Sequence, residues 1–141
     1  MSDIKVDASQ VDELRKKLER WAKVAPEEVK IALRRGGRLV ENEAKLHHLM
    51  GPRMARGVGD PTNATLARVS GDLYRSISTR VRALKTGEFS ATVGTVIPYG
   101  RKHELGLQGM PPRPFLRPSL EKKRPEVFEE IRKAFMKAYG K

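Results

Sequence analysis

The chain has 141 residues, with 29 lysines and arginines against 17 aspartates and glutamates and a formal net charge of +12. This length predicts one domain, residues 1–141, with a core of its own. The absence of cysteine excludes disulfides, thiolate metal sites and cysteine nucleophiles, and no apolar run approaches the roughly 20 residues of a membrane span. The segment Met1 to Lys5 lacks the basic start and apolar core of a signal peptide, so we expect a soluble protein made in the cytoplasm.

The positive charge is unevenly distributed along the chain. Residues 1–50 have a net charge of +2, residues 51–102 of +6 and residues 103–141 of +4. In the first block acids and bases alternate as they do on a solvated helix. The middle block therefore carries half of the excess, and a polyanion is the kind of partner that such an excess suggests.

Two long helices are predicted in the N-terminal third, over about 10–23 and about 26–48. Pro26 is interpreted as the first-turn proline of the second helix, followed by acids that suit its positive end. The apolar positions of the first helix are Val11, Leu14, Leu18 and Trp21. The second helix has two apolar faces, one with Val29, Ala32, Leu33, Gly36, Val40, Ala44 and His47 and one with Ile31, Leu39 and Leu46. Two faces indicate two neighbours: the core, and either another element of the chain or a second subunit.

A long loop over about 50–70, rich in glycine and proline, should follow these helices. A helical turn at 71–77 and a β-hairpin at about 77–96 come next, because apolar and polar residues alternate on both sides of the turn Lys85 to Glu88. The hairpin should have one solvated face that carries Arg80, Arg82 and Lys85. Residues 98–117 are predicted to be irregular apart from a helical turn at 99–105.

A C-terminal amphipathic helix is predicted over about 118–139 and is expected to pack on the sheet. Pro125 should kink or restart it, because proline lacks an amide proton and its ring clashes with the carbonyl four residues earlier. The predicted fold class is therefore α+β, with helices over one face of a small, mostly antiparallel sheet.

No motif for catalysis is present. Nucleophile elbows, phosphate-binding loops, dinucleotide fingerprints and paired-histidine zinc helices are all missing from the sequence. The adjacent His47 and His48 lie about 100° apart on a helix and His103 stands alone beside Glu104, which does not favour a metal site. We therefore expect no enzyme activity, no cofactor and no metal.

Nucleic acid is a conceivable partner, because arginines cluster in the predicted loop and hairpin. Only 6% of residues are aromatic and no base-reading module is recognisable, so any contact should be with phosphates and independent of sequence. A basic surface that serves solubility alone is the equally weighted alternative. The candidate phosphate or partner contacts are Arg53, Arg56, Arg68, Arg80 and Arg82.

An ordered set of short motifs spans residues 71–120. The set consists of Gly71, Leu73, Ser76-Ile77, Val93-Gly94, Tyr99, Glu104, Gly106 and the run Arg113-Pro114-Phe115-Leu116 with Pro118-Ser119-Leu120. In this order and spacing it resembles the tail-completion or head-tail joining family of long-tailed double-stranded DNA bacteriophages, the minor tail protein Z-like neck proteins. Two departures are Leu107, where the family often has threonine, and Pro125, which interrupts a helix that is usually continuous.

The resemblance implies a small α+β virion protein at the head-tail interface. It implies a homo-oligomeric ring between the portal or head-completion protein and the tail terminator or tail-tube protein, with non-specific contact to the genome as a possibility. The isolated chain is expected to be monomeric, with the 50–70 loop ordering on assembly. The alternatives are a sequence-independent DNA-binding protein, a tail terminator and a morphogenesis factor that the virion does not retain.

One contact can be predicted inside the motif set. The Glu104 carboxylate can point at a backbone amide or at Arg113, and we predict a pairing of Glu104 with Arg113, within or between subunits. The alternative is that both are solvated surface charges. Pro114 should make the following segment rigid, and Phe115 should anchor it in the core.

Overall fold

The structure is a computed structural model that describes residues 8–51 and 71–140. The helices are α1 (Ala8–Glu43), α2 (Asp72–Ser76), α3 (Pro98–Leu105) and α4 (Leu116–Tyr139), and the strands are β1 (Ser78–Ala83) and β2 (Phe89–Gly94). The two strands pair antiparallel as a hairpin. The predicted α+β fold, with a long N-terminal helix, a small antiparallel sheet and a C-terminal helix, is confirmed. None of the helices in the described ranges is long and apolar enough to cross a membrane.

The N-terminal third forms one helix and not two. α1 runs through Pro26 without interruption over 36 residues, so the interpretation of this proline as the start of a second helix is wrong. An internal proline costs a helix about 3 kcal/mol. α4 packs against α1 on both sides of the proline, through Trp21 and through Glu28, and these contacts offset that cost. The helix then ends in a π-helical turn, Ala44–His48, closed by the hydrogen bond from the Leu49 N–H to the Ala44 carbonyl (3.1 Å).

Two adjacent glycines let α1 approach a neighbour on each side. A Cβ atom on Gly36 would lie 3.0 Å from the Cγ1 atom of Val127 in α4, and one on Gly37 would lie 2.1 Å from the Cγ2 atom of Thr79 in β1. Consecutive helical residues point about 100° apart, so the two glycines face different elements. The neighbours of α1 at these two glycines are therefore both elements of the same chain. On the second predicted apolar face Ile31 and Leu46 are 38% and 55% exposed, so a neighbour that covers this face stays a prediction.

α4 packs along α1, and the expectation that it packs on the sheet is wrong. Trp21 stacks on Phe135 with ring centroids 6.1 Å apart, while Glu43, at the other end of α1, binds Lys122. The two helices are thus antiparallel, and α1 lies between α4 and the hairpin. Like Pro26, Pro125 lies inside a continuous helix and does not restart it.

The hairpin has the predicted position and orientation. Thr79, on the inner face of β1, donates a hydrogen bond to Glu41 of α1 (2.9 Å), and Lys30 of α1 lies over the Phe89 ring. Burial raises the pKa of Glu41, but hydrogen bonds from Lys45 and Thr79 outweigh it and hold the pKa below its usual value. Arg80 and Arg82 alternate with these inner residues and are exposed on the opposite face.

The core lies where the end of α1 meets α2, β2 and the start of α4. Its buried residues are Ala44, Leu49, Leu73, Ile77 and Phe115, with Tyr74, Val93 and Leu116 packed around them. Five of these eight residues (Leu73, Ile77, Val93, Phe115 and Leu116) belong to the motif set that carries the family resemblance, so much of that set is core.

Candidate functional site: the Glu104 joint and two exposed faces

The Glu104 carboxylate binds the N-terminus of α4. Its Oε2 atom accepts hydrogen bonds from the N–H groups of Phe115 (2.8 Å) and Leu116 (2.9 Å), and its Oε1 atom accepts one from the Arg117 N–H (2.9 Å). The first N–H groups of a helix have no partner within the helix, and a carboxylate there also interacts favourably with the helix dipole. Glu104 therefore holds α3 and α4 together, an arrangement that we call the Glu104 joint (Glu104, Gly106 and residues 115–117).

Gly106 shapes the turn that brings Glu104 into position. It ends α3 in the left-handed region, at φ 68°, and its N–H donates to the Lys102 carbonyl (2.8 Å). A Cβ atom there would lie 2.6 Å from the backbone nitrogen of Pro112. Only glycine satisfies both the dihedral angle and the space without strain.

The hydrogen bonds that Glu104 accepts from backbone amides confirm one of its two expected partners. Arg113 contributes its own backbone N–H, which donates to the His103 carbonyl (2.7 Å) and fastens the segment before α4 to α3. The ion pair between Glu104 and Arg113 stays a prediction.

Several other motif residues have structural positions around this joint. Phe115 is fully buried, and Ser119 donates a hydrogen bond to the Phe115 carbonyl one turn earlier. Leu73 is buried in the same core, and Gly71 precedes α2 with φ 77°, in the left-handed region. Pro114 is exposed beside Phe115. The motif set thus builds the meeting point of α2, α3 and α4.

His103 and Tyr99 lie one turn apart on α3, with their rings edge to face at 6.2 Å. The His103 Nδ1 atom is buried and has no hydrogen-bond partner among the described residues. Burial lowers the pKa of His103, and the positive charge of Arg113 lowers it further. Burial likewise lowers the pKa of His48, so both histidines favour the neutral form.

The first exposed face is an apolar stripe at the N-terminal end of α1. Every residue from 9 to 20 is exposed, and these residues with Ala8 form what we call the projecting end, because they extend beyond Trp21, which stacks on α4. At 1.5 Å per residue the projecting end is about 20 Å long. Its apolar side chains are about half exposed: Val11 (50%), Leu14 (51%) and Leu18 (50%).

Exposed apolar side chains of α4 extend this stripe around Trp21. Phe135, Met136 and Tyr139 are 42%, 63% and 61% exposed. An exposed apolar patch of this kind, framed by charged residues, is typical of a protein interaction surface.

The second exposed face is the solvent side of the hairpin, defined by Ser78, Arg80, Arg82, Ser90, Thr92 and Gly94. Cross-strand pairs place Thr92 opposite Arg80 and Ser90 opposite Arg82. A shallow depression of about 130 Å³ at one end is lined by Ser78, Arg80, Thr92, Gly94, Thr95 and Val96. This outer face of the hairpin is polar, and its charges are positive.

Three of the predicted phosphate contacts, Arg53, Arg56 and Arg68, lie outside the described residues. Within the described ranges no cluster of three or more histidines, cysteines, aspartates or glutamates could hold a metal ion. His47 instead lies 3.8 Å from Glu43, one turn earlier on the same helix.

Sequence reasoning missed two buried acids that connect the long helices. Glu43 (4% exposed) binds Lys122, which lowers its pKa, and Glu28 (8% exposed) binds Lys137. Both acids fall on the small-residue side of α1, so an acid within an apolar stripe was the available signal. Their partners follow only from the antiparallel packing of α4.

Comparisons of the chain with protein-family models, curated proteins and solved structures found no match.

Proposed function

We propose that this protein is a structural subunit of a bacteriophage head-tail connector, acting in tail completion or head-tail joining. In this function the chain assembles as a homo-oligomeric ring between the portal or head-completion protein and the tail, and it catalyses no reaction. The main support for this function is the motif set of residues 71–120. Its members Glu104, Gly106 and Phe115 meet in the Glu104 joint.

The joint supports this proposal because the resemblance rests on residues with a common structural purpose. Glu104 and Gly106 set the angle between α3 and α4, and the buried Phe115 anchors the start of α4 in the core. Motif residues that meet in one structural joint are a more specific signature than the same residues scattered over a surface. A motif that shapes the fold also fits a protein that works through shape and contact.

The projecting end supports an assembly function. A helical segment of about 13 residues is marginally stable by itself in water, and the apolar side chains of this segment are about half exposed. A subunit of a ring has such surfaces, which neighbouring subunits cover only after assembly. Weak contacts of this kind become stable when many are made together.

The experiment removes this gene product from a phage that encodes it. We expect DNA-filled heads and separate tails that do not join, with joining restored by the purified wild-type chain. Electron microscopy should then show the protein as a ring at the neck of the restored virions. The test variant is Leu14→Lys with Leu18→Lys, which should abolish joining. The control is Lys16→Gln with Lys23→Gln at exposed positions of the same helix, which should preserve joining.

Three results would contradict this function. Particles that join normally without the protein would exclude a joining function. A requirement for the protein without its presence in purified virions would favour the morphogenesis factor. A ring found around the end of the tail tube before heads are added would instead identify a tail terminator.

A further inference from the structure

We infer that the outer face of the hairpin is a contact surface for the phosphate backbone of DNA, independent of sequence. The inference begins with the charges of Arg80 and Arg82. Both are exposed, and within the described ranges neither forms an ion pair or a hydrogen bond with an acid.

The acids of the described residues are already engaged elsewhere. Each of them has a hydrogen bond or ion pair with another residue, and even Glu88 at the hairpin turn accepts a hydrogen bond from Thr86 (3.1 Å). The outer face itself has serine, threonine and glycine beside its arginines and no acid. Its positive charge is therefore not neutralised within the described part of the subunit.

The chemistry of this face suits an oxyanion. Arginine presents a planar set of N–H donors that binds phosphate oxygens in pairs, and serine and threonine hydroxyls are common additional phosphate donors. Across the ladder Arg80 lies beside Thr92 and Arg82 beside Ser90, so each guanidinium has a hydroxyl neighbour. The shallow depression next to Arg80 adds the Ser78 hydroxyl to this set.

The spacing suits a linear polyanion. Alternate residues of a strand lie about 6.6 Å apart on the same face, so the two guanidinium groups can reach neighbouring phosphates of one nucleic-acid strand. The opposite face of the hairpin is packed on α1 through Thr79 and Glu41, which keeps the arginines on the outside. The face lacks aromatic residues for stacking, and phosphate contacts carry no sequence information.

The choice of DNA over an acidic protein rests on the proposed function, in which the genome passes through the ring. Lys85, in the turn of the hairpin, is also exposed and extends the positive surface beyond the ladder. A ring would repeat this small surface in every subunit, so weak individual contacts would combine along the DNA.

The test is salt-dependent binding of the full chain to short duplexes of mixed sequence, measured by fluorescence anisotropy. We expect the Arg80→Gln, Arg82→Gln variant to bind at least about tenfold more weakly than wild type at about 50 mM salt. The slope of log K against log salt concentration should fall by about two, because two phosphate contacts are lost. The control Lys16→Gln, Lys23→Gln removes the same charge from exposed positions of α1 and should change affinity less than about twofold.

Three outcomes would overturn the inference: no DNA binding by the wild type, an unchanged slope in the arginine variant, or equal losses in both variants. If the arginine variant keeps its affinity for DNA but no longer binds an acidic virion protein, the outer face of the hairpin is a contact surface for that protein. If the chain is present in joined virions but its Arg80→Gln, Arg82→Gln variant binds DNA as tightly as wild type, this inference is rejected and the proposed function stands. If the chain is absent from virions but the arginine variant still shows the smaller slope of log K against log salt concentration, only the proposed function is rejected.

Discussion

The middle of α1 and its N-terminal end differ, although one stripe of residues runs along both. Beside α4 the stripe consists of small or paired residues, and Ala25, Glu28 and Ala32 are at most 8% exposed. On the N-terminal side of Trp21 it consists of Val11, Leu14 and Leu18, which are about half exposed. Small residues allow the chain's own helix to approach closely, whereas large apolar residues without cover are suited to a partner. The comparison indicates that the body of α1 stabilises the subunit and that its projecting end serves assembly.

Loss of the Glu104 carboxylate, which caps α4, should have the largest effect on the stability of the subunit. We expect Glu104→Ala to lower the free energy of unfolding by roughly 2–3 kcal/mol, because three N–H groups lose a charged acceptor. Glu104→Gln, which keeps one acceptor oxygen, should fall between Glu104→Ala and wild type. Urea denaturation checks the values. A loss below about 0.5 kcal/mol in the alanine variant would show that the joint adds little to stability.

The same alanine substitution provides the test of the predicted Glu104–Arg113 pair. Stability losses of Glu104→Ala and Arg113→Ala that add in the double variant would exclude an energetic coupling between them.

Filling the contact between α1 and β1 should have the next largest effect. Alanine normally stabilises a helix over glycine by about 0.5–1 kcal/mol. At Gly37 we expect the opposite sign, a loss of about 1–3 kcal/mol, because the new Cβ atom meets the Thr79 methyl group. Thr79→Ser removes this methyl group and keeps the hydroxyl that binds Glu41, so it should recover part of the loss.

The control for this contact is Gly94→Ala, where a Cβ atom meets nothing within 4 Å. We expect no significant loss of stability there. If Gly37→Ala raises the melting temperature, close packing of α1 on the hairpin is not what holds glycine at this position.

Acidic pH should lower the stability of the folded subunit through its two half-buried histidines, His48 and His103. The pKa values of His103 and His48 lie below the ordinary 6.5 in the folded protein, so below that pH the unfolded chain binds more protons than the folded one. This stability is fully present above pH 6.5 and is lost as the pH falls toward the folded pKa values. The melting temperature should fall over this range before the paired carboxylates, Glu41 and Glu43 among them, are protonated below pH 4.5.

Substituting both histidines by glutamine should flatten this part of the pH profile. A profile that keeps its slope between pH 7 and 5 in the double variant would assign the effect to other groups.

The projecting end should show the smallest effect on the isolated subunit. We expect Leu14→Ala with Leu18→Ala to change the unfolding free energy by less than about 0.5 kcal/mol, because both side chains are already half exposed. Joining of heads and tails should nevertheless decrease with this variant. A stability loss comparable to that of Gly37→Ala would place the stripe in the subunit's own core and remove the distinction between the two parts of α1.

The residues of the Glu104 joint illustrate how far sequence reasoning reached. Local chemistry alone predicts a backbone amide or Arg113 as the partner of Glu104, and it predicts that Phe115 lies in the core. The identity of the amides, those of the first turn of α4, could not follow from sequence, since it depends on how Gly106 turns the chain.

Local periodicity in the sequence predicts the α+β class, the hairpin with its exposed arginines and the buried stripe of α1 that contains Ala32, Val40 and Ala44. Tertiary structure alone decided that Pro26 and Pro125 lie within continuous helices, since packing between α1 and α4 offsets a local penalty that propensity counts in full. It also decided which face of α1 meets which element. Contacts between distant residues such as Glu43 and Lys122 leave no periodic trace in the chain, so only the folded arrangement can define them.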